Sequence, residues 1–291
     1  MPIQTATTGQ LDKAQAVMIG EMRFTAEHSA PCKSLIDKAT LPKGYKQLTW
    51  PKVGSMDAAN LVDGIDLIDS EEIGMTYVDL TASEVGLKVI LTDKLLRQEN
   101  TDVFRVIGRQ QGDGMARKLD RDIIALFSGL NGGTVLGGDG KDLAVGAITG
   151  IAAWARANKL PRPISMVHHP NATALLASRV AGIGSTYYAG IMQGLPEELL
   201  RNFWKIAYDG INVFEDGNID KITGYDSGYG AIFSKNAMVY VEALAPNVER
   251  ERDASLRGWE VVIVSDYGVF EVEDTYGAAC QYEIGALATS T

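Results

Sequence analysis

The sequence predicts an α+β protein built from an arm, a long hairpin, one long helix, an α/β middle and a closing run of strands. Three observations carry this. Val85, Leu87, Val89 and Leu91 alternate with Gly86, Lys88, Ile90 and Thr92, the period of a strand with one apolar face. Val103, Ile107, Met115, Leu119 and Ile123 then fall on a four-residue repeat, helped by Val106 and Phe127, which is the period of a helix. From Met238 onward the apolar residues gather in β-type runs: Met238–Leu244, Trp259–Val264 and Val269–Val272.

Taken in order, residues 11–26 carry Leu11, Ala14, Met18 and Met22 at helical spacing with Asp12 in the first turn, and Pro31 ends that segment. Leu48 to Pro51 reads as a short strand that Pro51, having no N–H to give a ladder, confines to an edge or an end. Residues 54–74 are turn-like and acidic, and Met75 to Ala82 are extended. The long helix, capped by Asn100 or Thr101 and running from Asp102 to Phe127, would measure about 40 Å. Gly108, Gly112 and Gly114 weaken it by about 1 kcal/mol each relative to Ala and favour a bend near Gly112. Residues 129–140 form a Gly-rich turn and a candidate boundary. A helix over Ile148–Ala157, a strand over Ile164–His168, a helix over Ala172–Val180 and a strand over Ile211–Phe214 follow, with a polar turn at Asp216–Asn218.

Hydrophobic residues are 46% of the 291 residues and charged residues 22%, ordinary values for a globular protein with a sizeable core. No apolar run approaches a membrane span, and the polar stretch Met1–Asp12 lacks the pattern of a secretory signal. The two cysteines, Cys32 and Cys280, lack metal-ligand neighbours in sequence and read as free thiols. A net charge of −10 argues against gripping nucleic acid.

The catalytic and binding motifs fail one by one. In the Gly-rich loop, Val135 stands where a P-loop needs glycine, and Asp142 where it needs Ser or Thr. There is no Gly-x-Ser-x-Gly elbow. His168 and His169 are neighbours on a strand, so they point to opposite faces and cannot easily share a metal. Asp216-Gly-Asn218-Ile-Asp220 begins like a calcium loop, but Lys221 occupies the required glycine. Glu71–Glu72 and Glu197–Glu198 read as solvated faces. No catalytic, cofactor-binding or metal-ligating residue is assigned, and no cofactor is expected.

One feature rises above background. From Val53 to Leu87 the chain carries eight acids (Asp57, Asp63, Asp66, Asp69, Glu71, Glu72, Asp79 and Glu84) and no Lys or Arg. The long helix then sets Arg105, Arg109, Arg117 and Arg121 in one stripe, with Asp113 among them. A two-stranded ribbon is marginal alone and needs a surface to lie on. Trp50, Leu87 and Leu91 would otherwise be left wet, and burying Trp50 on a partner contributes about 4–6 kcal/mol before association costs. The expectation is that the acidic hairpin of one subunit lies across the basic helix of its neighbour, with charge setting the register and Trp50 supplying apolar contact.

Three stretches, taken in this order, resemble the major capsid proteins of tailed bacteriophages, with the Hong Kong 97 type fold. Glu84–Gln98, running into Asp102–Arg105 and Met115–Asp120, is similar to the end of that family's extended loop entering its spine helix. Ser165–Pro170 is similar to the strand-then-helix element of the axial domain. Met238–Ala243, Glu249–Asp253, Arg257–Trp259 and Asp266–Gly268 are similar to the closing β segment. The resemblance implies an N-terminal arm at 1–38, an extended loop at 39–98 and the peripheral domain's spine helix at 99–129. It further implies an inserted axial α/β domain at 130–224 and a peripheral β segment at 225–291.

It also implies a structural protein and not an enzyme: hexamers and pentamers tiling an icosahedral virion shell, assembled in the bacterial host cytoplasm. That shell encloses double-stranded DNA without sequence-specific binding or a membrane. Its partners are a portal and, where present, separate scaffolding or decoration proteins. The roughly forty residues before the hairpin are too few for a fused scaffolding segment. In the family, the loop matching Glu249 to Arg257 meets symmetry copies near local three-fold points. Its alternating charges (Glu249, Arg250, Glu251, Arg252, Asp253) suit a ring of individually weak ion pairs. Nothing marks Lys43, Lys46 or Lys52 for a Lys–Asn crosslink. The alternatives are an encapsulin-like compartment shell holding enzyme cargo, and an α/β enzyme using His168 or Asp226–Ser227 in a cleft.

Overall fold

The computed structural model describes residues 31–53, 74–98, 103–183, 206–208 and 210–285. The expected helix at 11–26 and the acidic residues of 54–73 lie outside the described residues. A short helix, α1 (Cys32–Leu35), leads into β1 (Asp37–Thr40). The strands β2 (Gln47–Val53) and β3 (Met75–Thr81) pair with each other alone, Pro51 opposite Tyr77, so the proline sits on an edge as its missing N–H requires. Next come β4 (Ser83–Thr92), α2 (Asp93–Gln98) and the long helix α3 (Val103–Phe127), whose 25 residues span about 37 Å.

Buried Met115, Leu119, Ile123 and Phe127 bear out the four-residue repeat, and buried Gln111 fills the place in that row where the apolar pattern skips. Beyond the turn lie β5 (Leu136–Gly137), α4 (Val145–Ala157), β6 (Ile164–His168) and α5 (Pro170–Ile183). They are followed by β7 (Ile206–Tyr208), β8 (Ile211–Glu215) and β9 (Ser227–Ser234). Two long strands, β10 (Met238–Asp253) and β11 (Gly258–Glu271), precede β12 (Gly277–Glu283).

Two sheets organise these elements. One has the order β1-β10-β11-β4, with β1 parallel to β10 and the other neighbours antiparallel. The other has six strands in the order β5-β12-β9-β6-β8-β7. The final third of the chain therefore supplies both sheets: β10 and β11 to the first, β9 and β12 to the second. In the six-stranded sheet Ile232 packs with Ile148, Ile151 and Leu176 from the α4 and α5 layer. Its neighbours Ala231 and Phe233 pack on the other side with Ile123 and Phe127 of α3, the two phenylalanine rings 5.6 Å apart. β9 is thus a central strand covered on both faces.

That placement explains two strands the sequence does not announce. A strand buried on both faces has no period-two pattern, and β9 and β12 are rich in Gly, Ala and Ser. A Cβ at Gly230 would overlap the Val167 carbonyl oxygen and the His168 ring, so this strand needs small residues at close approach. The end of the chain is also corrected. The run expected to stop at Leu244 continues to Asp253, and the two runs expected over 259–272 are one strand. Glu249–Asp253 need no burial to be extended, because the ladder to Gly258–Val262 holds them. The segment Glu249–Arg257 is therefore mostly hairpin strand with a turn at 254–257, where Asp253 Oδ1 accepts from the amides of Ser255 (2.8 Å) and Leu256 (3.2 Å).

Candidate functional site

The expectation that the hairpin has no seat within its own chain is corrected at its base. Trp50 is half-buried with Leu48, Val78 and fully buried Leu80 against Val239 and Val241 of β10 and Phe270 of β11. Leu91 is buried too, among Val261, Trp259 and Ile107, because β4 is zipped to β11 and roofed by α2 and α3. The Lys52 ammonium adds an ion pair at 2.6 Å to Glu273. Glu273 adjoins the carboxyls of Glu271 and Asp274; burial and the hydrogen bond to Asp274 push Glu271 up to about 7. Leu87 stays 41% exposed, as expected. Asp63, Asp66, Asp69, Glu71 and Glu72 lie outside the described residues.

On α3, Arg109, Arg117 and Arg121 are exposed on the helix surface, and the side chain of Arg105 lies outside the described residues. Arg121 reaches Asp220 of its own chain at 3.5 Å, with both groups largely solvated. At the β10–β11 hairpin Glu249 and Arg250 are exposed. Arg252 turns back on its own subunit: it contacts Asp93 at 3.1 Å and lies over the ring of Trp259, its cross-strand partner, at 5.8 Å.

The large exposed apolar residues map the same surfaces. Among the described residues, Tyr45, Met75, Tyr77 and Leu87 lie on or beside the β2–β3 ribbon and its continuation, and Leu244, Val248 and Leu256 lie on the β10–β11 hairpin. Only Tyr225 of that group lies elsewhere. Among the described residues, two ribbons thus carry all but one of the large exposed apolar side chains.

Of the groups named for a catalytic cleft, His168 and Ser227 are enclosed, while Asp226 is exposed and paired with Lys221 at 2.7 Å. Ser227 Oγ donates to Asp139 at 2.9 Å. The Nδ1 of His168 accepts from the His169 amide at 2.9 Å, and burial holds the imidazole down at about 4. A surface cleft of about 370 Å³ beside α3 is lined by Arg121, Ser128, Asn218, Lys221 and Tyr229, with neither His168 nor Ser227 in its wall.

Sequence reasoning missed one cluster. Cys32, read as having no partner, meets Asp120 and Asp216 in the interior, their polar atoms within 4.8 Å of one another. All four carboxylate oxygens and the thiol are already hydrogen-bonded within this knot or to Asn218. The residues lie 88 and 184 positions from Cys32, so no local spacing could announce them. The only local trace was Asp216–Asn218, read correctly as a turn but not as a buried one. No helix among the described residues is long and apolar enough to cross a membrane.

Comparison with known proteins agrees with this architecture. The chain is similar to a chain in a structure of Mycobacterium phage Che8 (17% identity, 89% of this chain and 94% of that one, TM-score 0.70). It is also similar to the capsid of cyanophage Pam1 (11% identity, 91% and 94%, TM-score 0.71). A third likeness is to the capsid of a native GTA particle (13% identity, 93% and 98%, TM-score 0.64). The fold is therefore the α+β fold of Hong Kong 97 type capsids. A search of curated proteins returns no match. The sequence profile described as "Phage capsid protein" matches residues 77–281, from β3 to β12, and does not favour the cargo-compartment alternative. The chain belongs to the phage capsid protein family and is a structural subunit of a capsid shell.

Proposed function

We propose that this chain tiles a phage head as hexamers and pentamers, its two ribbons reaching onto neighbouring subunits. The observation that carries this is the concentration of exposed apolar side chains on those ribbons, where a free monomer gains nothing from them. In this reading residues 1–38 are the arm, 39–98 the extended loop, α3 with β10 and β11 the peripheral part, and the six-stranded sheet with α4 and α5 the axial part. The acidic segment of the loop (Asp63, Asp66, Asp69, Glu71, Glu72) lies along the neighbour's Arg105, Arg109 and Arg117. Arg121 contributes less, since Asp220 already shares its charge. Trp50 anchors the ribbon to its own subunit and so aims it. Glu249 and Arg250 meet symmetry copies at the hairpin tip, while Arg252 stiffens the hairpin through Asp93 and Trp259.

The role is mechanical and not catalytic, and the enclosed polymer is double-stranded DNA, held by confinement: a chain of net charge −10 repels phosphate. A portal and, where present, separate scaffolding or decoration proteins complete the particle, which is assembled in the host cytoplasm. Electron microscopy and light scattering of the purified chain test the assembly. Closed megadalton shells are expected; a chain that stays monomeric at high concentration with its ribbons folded would overturn the reading.

A further inference from the structure

The first described residues of the chain are pinned at one place. The amide of Cys32 donates to Asp120 Oδ1 at 3.2 Å, and its thiol donates to Asp216 Oδ2 at 3.4 Å. Asn218 closes the arrangement, its side-chain amide donating to Asp120 Oδ2 at 3.0 Å and its backbone amide to Asp216 Oδ1 at 2.8 Å. A carboxylate oxygen of Asp120 lies within 4.8 Å of one of Asp216, and two carboxyls this close and this buried favour holding one proton between them. Cys32, Asp120, Asp216 and Asn218 are all buried. The knot therefore joins three parts of the molecule: the segment entering at Pro31, the long helix α3 and the turn after β8.

We propose that Asp120 and Asp216 form a proton-operated latch that holds the segment around Cys32 on the body and loosens it when the shared proton is lost. With the proton in place one negative charge is spread over a site rich in donors. Without it, two carboxylates face each other away from water, and the least costly relief is for the short segment carrying Cys32 to lift and admit solvent. Burial and the Asp120 hydrogen bond push Asp216 up to about 7, against an ordinary 3.8, so the latch is set near neutral pH.

Other charges on the same elements are engaged elsewhere. Lys33 lies 3.8 Å from Glu242 and over the Tyr240 ring. Arg121 pairs with Asp220, and Asp122 with Lys118 and the Tyr267 hydroxyl. Arg117 is exposed, Lys221 pairs with Asp226, and Glu215 accepts from Thr173. His168, whose carbonyl accepts the Asp216 amide, is held neutral by its own burial. The Cys32 thiol is kept protonated by burial and by the two acids.

The sign follows from linkage. The closed latch holds a proton that the open one releases, so opening grows as pH rises from about 4 to about 7, by up to tenfold per unit, then levels off. Hydrogen exchange of the amides of residues 32–36 in the full-length chain, corrected for intrinsic rate and referred to β6 as a monitor of global opening, reads this directly. The wild type should show the rise, while Asp216→Asn and, separately, Asp120→Asn should flatten it, since an amide has no proton to lose in this range. Its NH2 group accepts nothing, so each variant also gives up one accepted hydrogen bond, which shifts the level of exchange and not its slope with pH. In parallel, alkylation of Cys32 relative to Cys280 in one sample cancels the common thiolate dependence and should rise over the same range. A wild-type profile flat in pH, or an unchanged slope in whichever variant folds, overturns the latch.

Discussion

The side-chain amide of Gln111 donates to the carbonyl oxygen of Val261 at 3.1 Å, tying the first half of the long helix to the turn-proximal part of β11. Gln111 occupies the apolar row of α3, and its own Oε1 is buried with no hydrogen-bond partner among the described residues. Replacing it with Ala should cost about 2 kcal/mol, since a cavity opens and the Val261 carbonyl loses its donor. Met, nearly equal in volume, should cost less. Denaturant midpoints of the unassembled chain at equal slope measure both.

Trp50 is held by its own subunit, so its loss should be felt before assembly. Trp50→Ala should lower the stability of the unassembled chain by about 2–3 kcal/mol, the lower part of the range for large-to-small changes because the ring is only half-buried. An unchanged monomer with defective shells would return this residue to the intersubunit contact first expected of it.

The charge complementarity between subunits has a separate signature. Arg109→Glu with Arg117→Glu should abolish shells in micrographs while the unassembled chain keeps its circular dichroism and melts within a few degrees of wild type. Both residues are exposed on α3, outside its apolar row, so folding has little to lose. Normal shells from this double variant would eliminate the acidic hairpin-on-helix contact.

Two buried groups should pull stability in opposite directions with pH, and over about pH 4–6.5 their contributions should nearly cancel in the wild type. Burial lowers His168 from 6.5 to about 4, so between those values the unfolded chain takes up the extra proton and stability drops as pH falls, by about 3 kcal/mol in all. Asp216 acts in the opposite sense: raised to about 7, it keeps in the folded state a proton that the unfolded chain loses, and stability drops as pH rises toward 7. His168→Asn, which can still accept from the His169 amide, should be less stable overall and should unmask the Asp216 contribution as a decline with rising pH. Thermal midpoints from pH 4.5 to 8 compare the two.

Gly230→Ala isolates the packing of the central strand. Its Cβ would meet the Val167 backbone oxygen, which cannot move without breaking the sheet, so a loss of several kcal/mol or failure to fold is expected in expression and melting assays.

By itself the sequence determined what depends on neighbours along the chain. The four-residue repeat of Met115, Leu119, Ile123 and Phe127 placed the long helix, Pro51 placed an edge, and Ile164–His168 was bounded to the residue, because these signals act within a turn or a strand's length. The family was legible in the order of such elements. Tertiary structure decided the rest, where a residue's role is set by what arrives from far away. Gly-rich β9 is a strand only because β12 and β6 flank it and no larger residue fits. Exposed Glu249–Asp253 are extended because β11 holds them. Trp50 found its surface on β10 of its own chain, which no periodicity reveals, and the knot of Cys32, Asp120 and Asp216 exists only once a helix, a turn and the entering segment converge. Local periodicity fixes which face of an element is apolar; only packing decides what that face meets, and burial then sets the charge of the acids caught inside.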